Sequence, residues 1–225
     1  MATIQLSEFV PSSIKFSPIK INTKGGKTVF LNNENGSSIM IELPLMKAPF
    51  GLSTFVDDKT GVTSYSIPLS LDDPEVLAKF VDLENQIVGW IAANSTELLG
   101  KPQSVDVLRA GDTLKTMLKY GKPKDGKTYA PTLNLKVLMK DGEIATGVYS
   151  PQRQLTSPSS IEKMQKIKTI INVNSIWRTP MGVGITVRAH QVLLTPSTQL
   201  KACAFSAEAG NAGTAATTED DEYDE

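Results

Sequence analysis

The chain has 225 residues, 40% of them hydrophobic, with a single cysteine and a single histidine, and 23 basic against 24 acidic side chains for a formal net charge of −1. That is enough apolar material for a core without covalent staples; Cys203 alone excludes an intramolecular disulfide, and one His with one Cys excludes an ordinary zinc site. The longest apolar run, IVGWIAA, is too short to cross a bilayer, and MATIQLSEFVPSS has no signal-peptide pattern, so a soluble intracellular protein without a membrane partner is expected.

In chain order, SSIKFSPIKIN, TVFLN and SSIMIEL alternate polar and apolar residues and read as short strands. Turns are expected at Gly25 and Gly26 and at Asn35 and Gly36, and a further hairpin at DDKTG, between LSTFV and VTSYSIPL. A β-meander follows from that pattern, with Phe55 expected in the core. The period then changes. In LDDPEVLAKFVDLENQIVGWIAANS, Asp73 is a helix cap, Pro74 suits the first helical position and Glu75 complements the dipole. Val76, Leu77, Phe80, Leu83, Ile87, Val88 and Ile91 form an apolar stripe, with Asp82, Glu84, Asn85 and Gln86 expected to face away and Trp90 to close one end of the core.

KPQSVDVLRAGD holds one short helical turn, after which TLKTMLKYG and APTLNLKVLMK read as strands around KPKDGKTY, and EIATGVYS follows a turn at Asp141 and Gly142. SPQRQLTSPSS reads as an exposed loop, and KIKTIINVNSIW and GVGITVRAHQVLL as two long strands around RTPMG. The expected fold is mainly β: an OB-fold-like antiparallel barrel with one inserted amphipathic helix over residues 1–205, then a flexible acidic tail over 206–225. A β-sandwich with an inserted helix fits the same strand count.

Catalytic patterns are missing. No GxSxG elbow and no phosphate-binding GxxxxGK[ST] or GxGxxG occurs. His190 lies in an alternating strand, where a hydrogen-bonded structural role is expected, and the carboxylate pairs Asp57 with Asp58 and Asp72 with Asp73 fall in a hairpin and at a helix start. A non-enzyme without a cofactor is expected.

Charge is distributed unevenly. Seven acids (Glu208, Glu219, Asp220, Asp221, Glu222, Asp224, Glu225) and no base lie beyond Phe205, which leaves 17 acids against 23 bases, a net of +6, in residues 1–205. Within TLKTMLKYGKPKDGKTYAPTLNLKVLMK, Lys115, Lys119, Lys122, Lys124, Lys127, Lys136 and Lys140 outnumber Asp125 and alternate with Tyr120 and Tyr129. Cations that follow a phosphate backbone and aromatic faces that accept unpaired bases are what binding of single-stranded nucleic acid requires; lysines on a solvated hairpin give the same composition. Trp177 beside Arg178 is a further stacking candidate, and Phe50, near Lys47, fits either surface or core.

The succession MKAPFG, amphipathic helix, GKPQSVDVL, KYGKPKDGKTYAPTLNLKV, SIWRTPMGVGITVRAHQVLL and acidic end resembles the single-stranded DNA-binding proteins of large nucleocytoplasmic DNA viruses, such as those of algae. These are similar in turn to the replication single-stranded DNA-binding proteins of short-tailed bacteriophages. The resemblance implies an OB-fold that covers single-stranded DNA in replication, recombination and repair. By position it implies Lys119, Tyr120, Lys122, Lys124, Lys127, Tyr129 and Lys136 as DNA contacts, with Trp177 and Arg178 beside them. It also implies contacts to replication proteins through Asp220, Asp221, Glu222, Tyr223, Asp224 and Glu225, although the aromatic here stands two residues before the end instead of last. A homodimer is an open alternative to a monomer. An acidic-tailed β-barrel interaction protein that holds basic partners, without binding nucleic acid, accounts for the charge segregation equally.

Overall fold

The computed structural model describes residues 3–23, 25–58, 60–122 and 128–196. Its main elements are β1 (Lys27–Asn32), β2 (Ile39–Glu42), β3 (Met46–Ala48), β4 (Ser53–Val56), β5 (Thr63–Ser70), α1 (Pro74–Ala93), α2 (Ser95–Leu99), α3 (Val105–Ala110), β6 (Leu114–Lys115), β7 (Leu118–Lys119), β8 (Thr132–Val137), β9 (Gly147–Tyr149), β10 (Gln165–Thr179) and β11 (Gly182–Leu194).

The long hairpin β10–β11 organises everything else. Pro180 and Met181 turn the chain, and Gly182, at φ 150°, sits so close to Thr113 that a Cβ would lie 2.3 Å from its carbonyl oxygen. On its other edge β10 takes three antiparallel partners in succession: β3 at 165–167, β2 at 170–173 and β1 at 175–178. The expected meander is corrected here. Among the described residues β1 and β2 share no ladder, only the bridge Asn32 to Ser38 and the bond from Asn33 N–H to the Ser37 carbonyl beside it, because the 15-residue β10 offers an edge long enough for several short strands end to end.

The outer edge of β11 takes three parallel partners, β6, β8 and β9. β8 continues antiparallel to β5, and β5 to β4 through the expected hairpin at Asp57, whose Oδ1 accepts from the Thr60 N–H at 2.8 Å. The sheet bends round until β3 lies against β5, and Lys47 and Asp72 form an ion pair at 3.4 Å beside that seam. No ladder joins β3 to β5 among the described residues, so the barrel expected from sequence is mainly β but not closed by hydrogen bonds.

Alternation fixes the buried face. Leu133, Leu135 and Val137 of β8, Ile67 and Leu69 of β5, Ile167, Ile171, Val173 and Ile176 of β10, and Val183, Ile185 and Val187 of β11 all point into one hydrophobic cluster that extends from Leu6 to Leu194. α1 completes it with Val76, Phe80, Leu83, Ile87, Val88 and Ile91. Asp73 caps this helix by accepting from the Glu75 and Val76 N–H groups at 2.9 and 3.4 Å. Trp90 stacks on Phe16 at 4.8 Å, and Lys79 Nζ donates to the carbonyls of Leu6, Ser7 and Phe9, holding the N-terminal segment across the helix.

Three residues depart from expectation. Glu84 is 4% exposed instead of facing solvent, since a position four residues from both Phe80 and Val88 stays on the apolar stripe. Phe55 is 65% exposed instead of core, because β4 is an edge strand, and Phe50 is exposed as well. His190 is exposed and is the extra residue of a bulge, since Ile170 pairs with Gln191 and Ile171 with Ala189. No described helix is long and apolar enough to cross a membrane.

Candidate nucleic-acid interface

The residues that alternate with the buried ones form an open sheet face. On β11 these are Gly184, Thr186 and Arg188, on β8 Asn134 and Lys136, on β5 Ser64 and Ser66, and on β4 Ser53 and Phe55. Register ties them into rows: Arg188 beside Lys136, Lys136 beside Ser66, Ser66 beside Ser53. The segment β6–β7 fills the wedge where β8 diverges from β11. Lys115 pairs with Gly184 and Lys119 with Thr132, so both lysines join the same face while Leu114 and Leu118 are buried.

This face is one-sided in charge. Strands β6, β7, β8, β10 and β11 bring Lys115, Lys119, Lys136, Lys168 and Arg188 to it, and those strands contain no acid. Lys168 is neutralised by Glu42 of β2. Lys136 and Arg188, by contrast, stand side by side on adjacent strands, and neither is in an ion pair among the described residues. Like charges opposite each other on a sheet are destabilising, and a breach of this local rule without internal compensation marks a site shaped by something other than stability.

Aromatic faces border the cations. The Trp177 indole lies down on Gly184, where a Cβ would come within 2.4 Å of Cζ2, so only glycine permits that pose, and the stem of Lys115 is adjacent. Phe30 pairs with Ser175 on the same face and carries Lys20 Nζ 5.2 Å from its ring centroid. Tyr120 and Tyr129 are 64% and 60% exposed, and a Cβ on Gly121 would lie 4.0 Å from the Cβ of Tyr129.

Glu84 Oε2 accepts from the N–H groups of both Met117 and Leu118 at 3.0 Å. The buried carboxylate thereby anchors the strand that delivers Lys119 and Tyr120. Burial pushes its pKa above the usual glutamate value, against the opposing pull of the Leu118 N–H, Arg109, the Met117 N–H and Lys119.

Of the residues singled out from sequence, Lys119, Lys136 and Trp177 share the open face, and Tyr120, Lys122 and Tyr129 are exposed at its rim. Arg178 falls on the opposite face, in register with Lys27 and Val183, because neighbours in a strand point opposite ways. Lys124, Lys127 and Asp220, Asp221, Glu222, Tyr223, Asp224 and Glu225 lie outside the described residues. Arg188 and Phe55 were not singled out as contacts. For Arg188 the signal was present, a lone arginine at an outward position of GITVRAHQ.

No protein-family model matches the chain, and no curated protein matches it. Among solved structures it is similar to the single-stranded DNA-binding protein from bacteriophage Enc34 in complex with ssDNA, at 16% identity and a TM-score of 0.45, covering 84% of this chain and 99% of that one. It is also similar to gp2.5, a single-stranded DNA-binding protein encoded by bacteriophage T7, at 14% identity and a TM-score of 0.47, covering 74% and 91%. Identities and scores this low carry no inference about ligand, which has to come from the chain's own surface.

Proposed function

We propose that this chain is a non-enzymatic single-stranded DNA-binding protein that coats unpaired DNA in replication, recombination and repair, inside the cell, with an OB-type barrel as its platform. The observation that carries the reading is the uncompensated Lys136–Arg188 pair on a sheet face edged by exposed aromatic rings. A phosphate backbone relieves that repulsion, and flat rings accept bases that a duplex would hide. The sequence resemblance to the DNA-binding proteins of large nucleocytoplasmic DNA viruses supports the same reading.

Two classes of contact are separable by experiment. Replacing Tyr120 and Tyr129 by alanine removes stacking worth about 1–3 kcal/mol per base and weakens binding with an unchanged salt slope. Replacing Lys122, Lys124 and Lys127 by alanine lowers the slope of log K against log salt by roughly 2, at about 0.7 per phosphate contact on a single strand. Fluorescence titrations over a salt series distinguish the two; tyrosine variants that bind like the parent would remove stacking from the account.

The acidic segment adds a second element to the proposal. Six acids from Glu219 onward act as a tethered competitor for the cationic face, and with Tyr223 they contact replication proteins once DNA displaces them. Deletion from Thr218 is expected to tighten single-stranded DNA binding at low salt, with the gain fading as salt rises. Unaltered affinity at every salt concentration would leave the segment no competitive role.

A further inference from the structure

We infer that the cleft at the far end of the long hairpin is a second nucleotide subsite, which takes an unpaired base against Tyr149 and the adjoining phosphate on Arg153. The inference rests on the DNA-binding reading above and extends it along the sheet.

Register makes the cleft a continuation of the open face. Trp177 pairs with Gly184 at one end of β11, Asn172 with Arg188 midway, and Lys168 with Leu193 at the other end, where Leu193 also pairs with Tyr149. Leu193 is nine residue steps along β11 from Gly184, roughly 30 Å at about 3.3 Å per residue. A strand lying along β11 passes Trp177, then Lys136 and Arg188, and then enters the cleft, whose lining includes Tyr149, Ile170, Gln191 and Leu193.

That lining suits a base. Ile170, Leu193 and Tyr149 supply apolar and aromatic surface, while Gln191 and the Glu42–Lys168 ion pair supply donors and acceptors for a base edge. Glu42 also accepts from Gln5 Nε2 at 2.8 Å, so its carboxylate is held in place and its charge is offset by Lys168. Arg153 is therefore the uncompensated charge of the cleft. It is exposed, is in no ion pair among the described residues, and sits at φ 61°, in the left-handed region that residues other than glycine and asparagine rarely adopt. That φ belongs to the short hairpin turn in which the Arg153 N–H donates to the Ser150 carbonyl and the Ser150 N–H to that of Gln154, and the turn sets the guanidinium beside the cleft.

Oligonucleotide length tests the inference, because a short strand reaches one subsite and a long one reaches both. The full chain is titrated with oligonucleotides of about 5 and about 15 nucleotides, near the two ends of the usual range per OB domain. Tyr149→Ala combined with Arg153→Gly is expected to weaken binding of the longer strand about tenfold and of the shorter by no more than about twofold, the longer strand losing a stacked base and a phosphate contact. Arg153→Gly alone guards against misfolding, since glycine adopts that φ without strain; it is expected to lower the salt slope for the longer strand by about 0.7. Equal losses at both lengths, or no loss at either, overturn the second subsite while leaving the DNA-binding reading intact. Failure of the parent protein to bind either strand overturns both.

Discussion

Lys136→Glu is expected to weaken single-stranded DNA binding about 100-fold at low salt, since placing like charges against each other in an interface costs several kcal/mol. It should do so without weakening the fold. In the parent protein Lys136 and Arg188 repel each other across adjacent strands; in the variant they attract, and an opposite-charge cross-strand pair contributes roughly 0.2–1 kcal/mol of stability. The substitution removes one phosphate contact and diverts Arg188 from a second, so the salt slope should fall by about 1.4. Denaturant unfolding measured beside a DNA titration should therefore move in the opposite direction from affinity. Loss of both together would mean that Lys136 supports the fold and says nothing about ligand.

Glu84→Ala is expected to be the most damaging single change beneath the site. It strands the N–H groups of Met117 and Leu118 without their acceptor, and a buried unsatisfied group costs about 1–3 kcal/mol, so the loss is roughly 2–6 kcal/mol. In a domain of this size each kcal/mol shifts Tm by about 2–4 °C. Glu84→Gln keeps a side-chain oxygen for both N–H groups and should be far milder. The pH dependence separates the two roles of the carboxyl. Its folded-state pKa is raised, so the folded protein holds this proton more firmly than the unfolded chain does. The stability linked to that proton is therefore fully present below the ordinary glutamate pKa and is lost as pH rises through the raised value. Both hydrogen bonds go to Oε2, so protonation at Oε1 leaves them in place. Thermal melts across the acidic range should show this slope in the parent and not in Glu84→Gln; an identical slope in both would assign it to other groups.

Local chemistry made much of the fold legible in advance. Asp73 before Pro74 marked the start of α1, DDKTG the β4–β5 hairpin, Asp141 with Gly142 a turn, and RTPMG the turn of the long hairpin. What could not be read was pairing between distant segments. Nothing local to TVFLN or SSIMIEL says that both lie along one later strand, and nothing local to Lys136 says that Arg188 will be its neighbour. The charge of Glu84 hides its place on the apolar stripe of the helix, and the hydrophobicity of Phe55 does not reveal that its strand lies at a sheet edge. Trp177 and Arg178 could have been assigned to opposite faces from period-two alternation alone. Lysine and tyrosine composition pointed to the correct segment of chain; only the register showed which of its side chains share a face with the long hairpin.

The central claim is that this face takes unpaired nucleic acid, and the most direct test is one titration of the full chain with single-stranded and duplex DNA of the same length over a salt series. Binding to the single strand should be at least about tenfold tighter, because stacking on exposed rings needs unpaired bases. Its log K should fall against log salt with a slope of about −3 to −4, as for four to six neutralised phosphates. Equal affinity for the two forms, or binding indifferent to salt, would contradict the account.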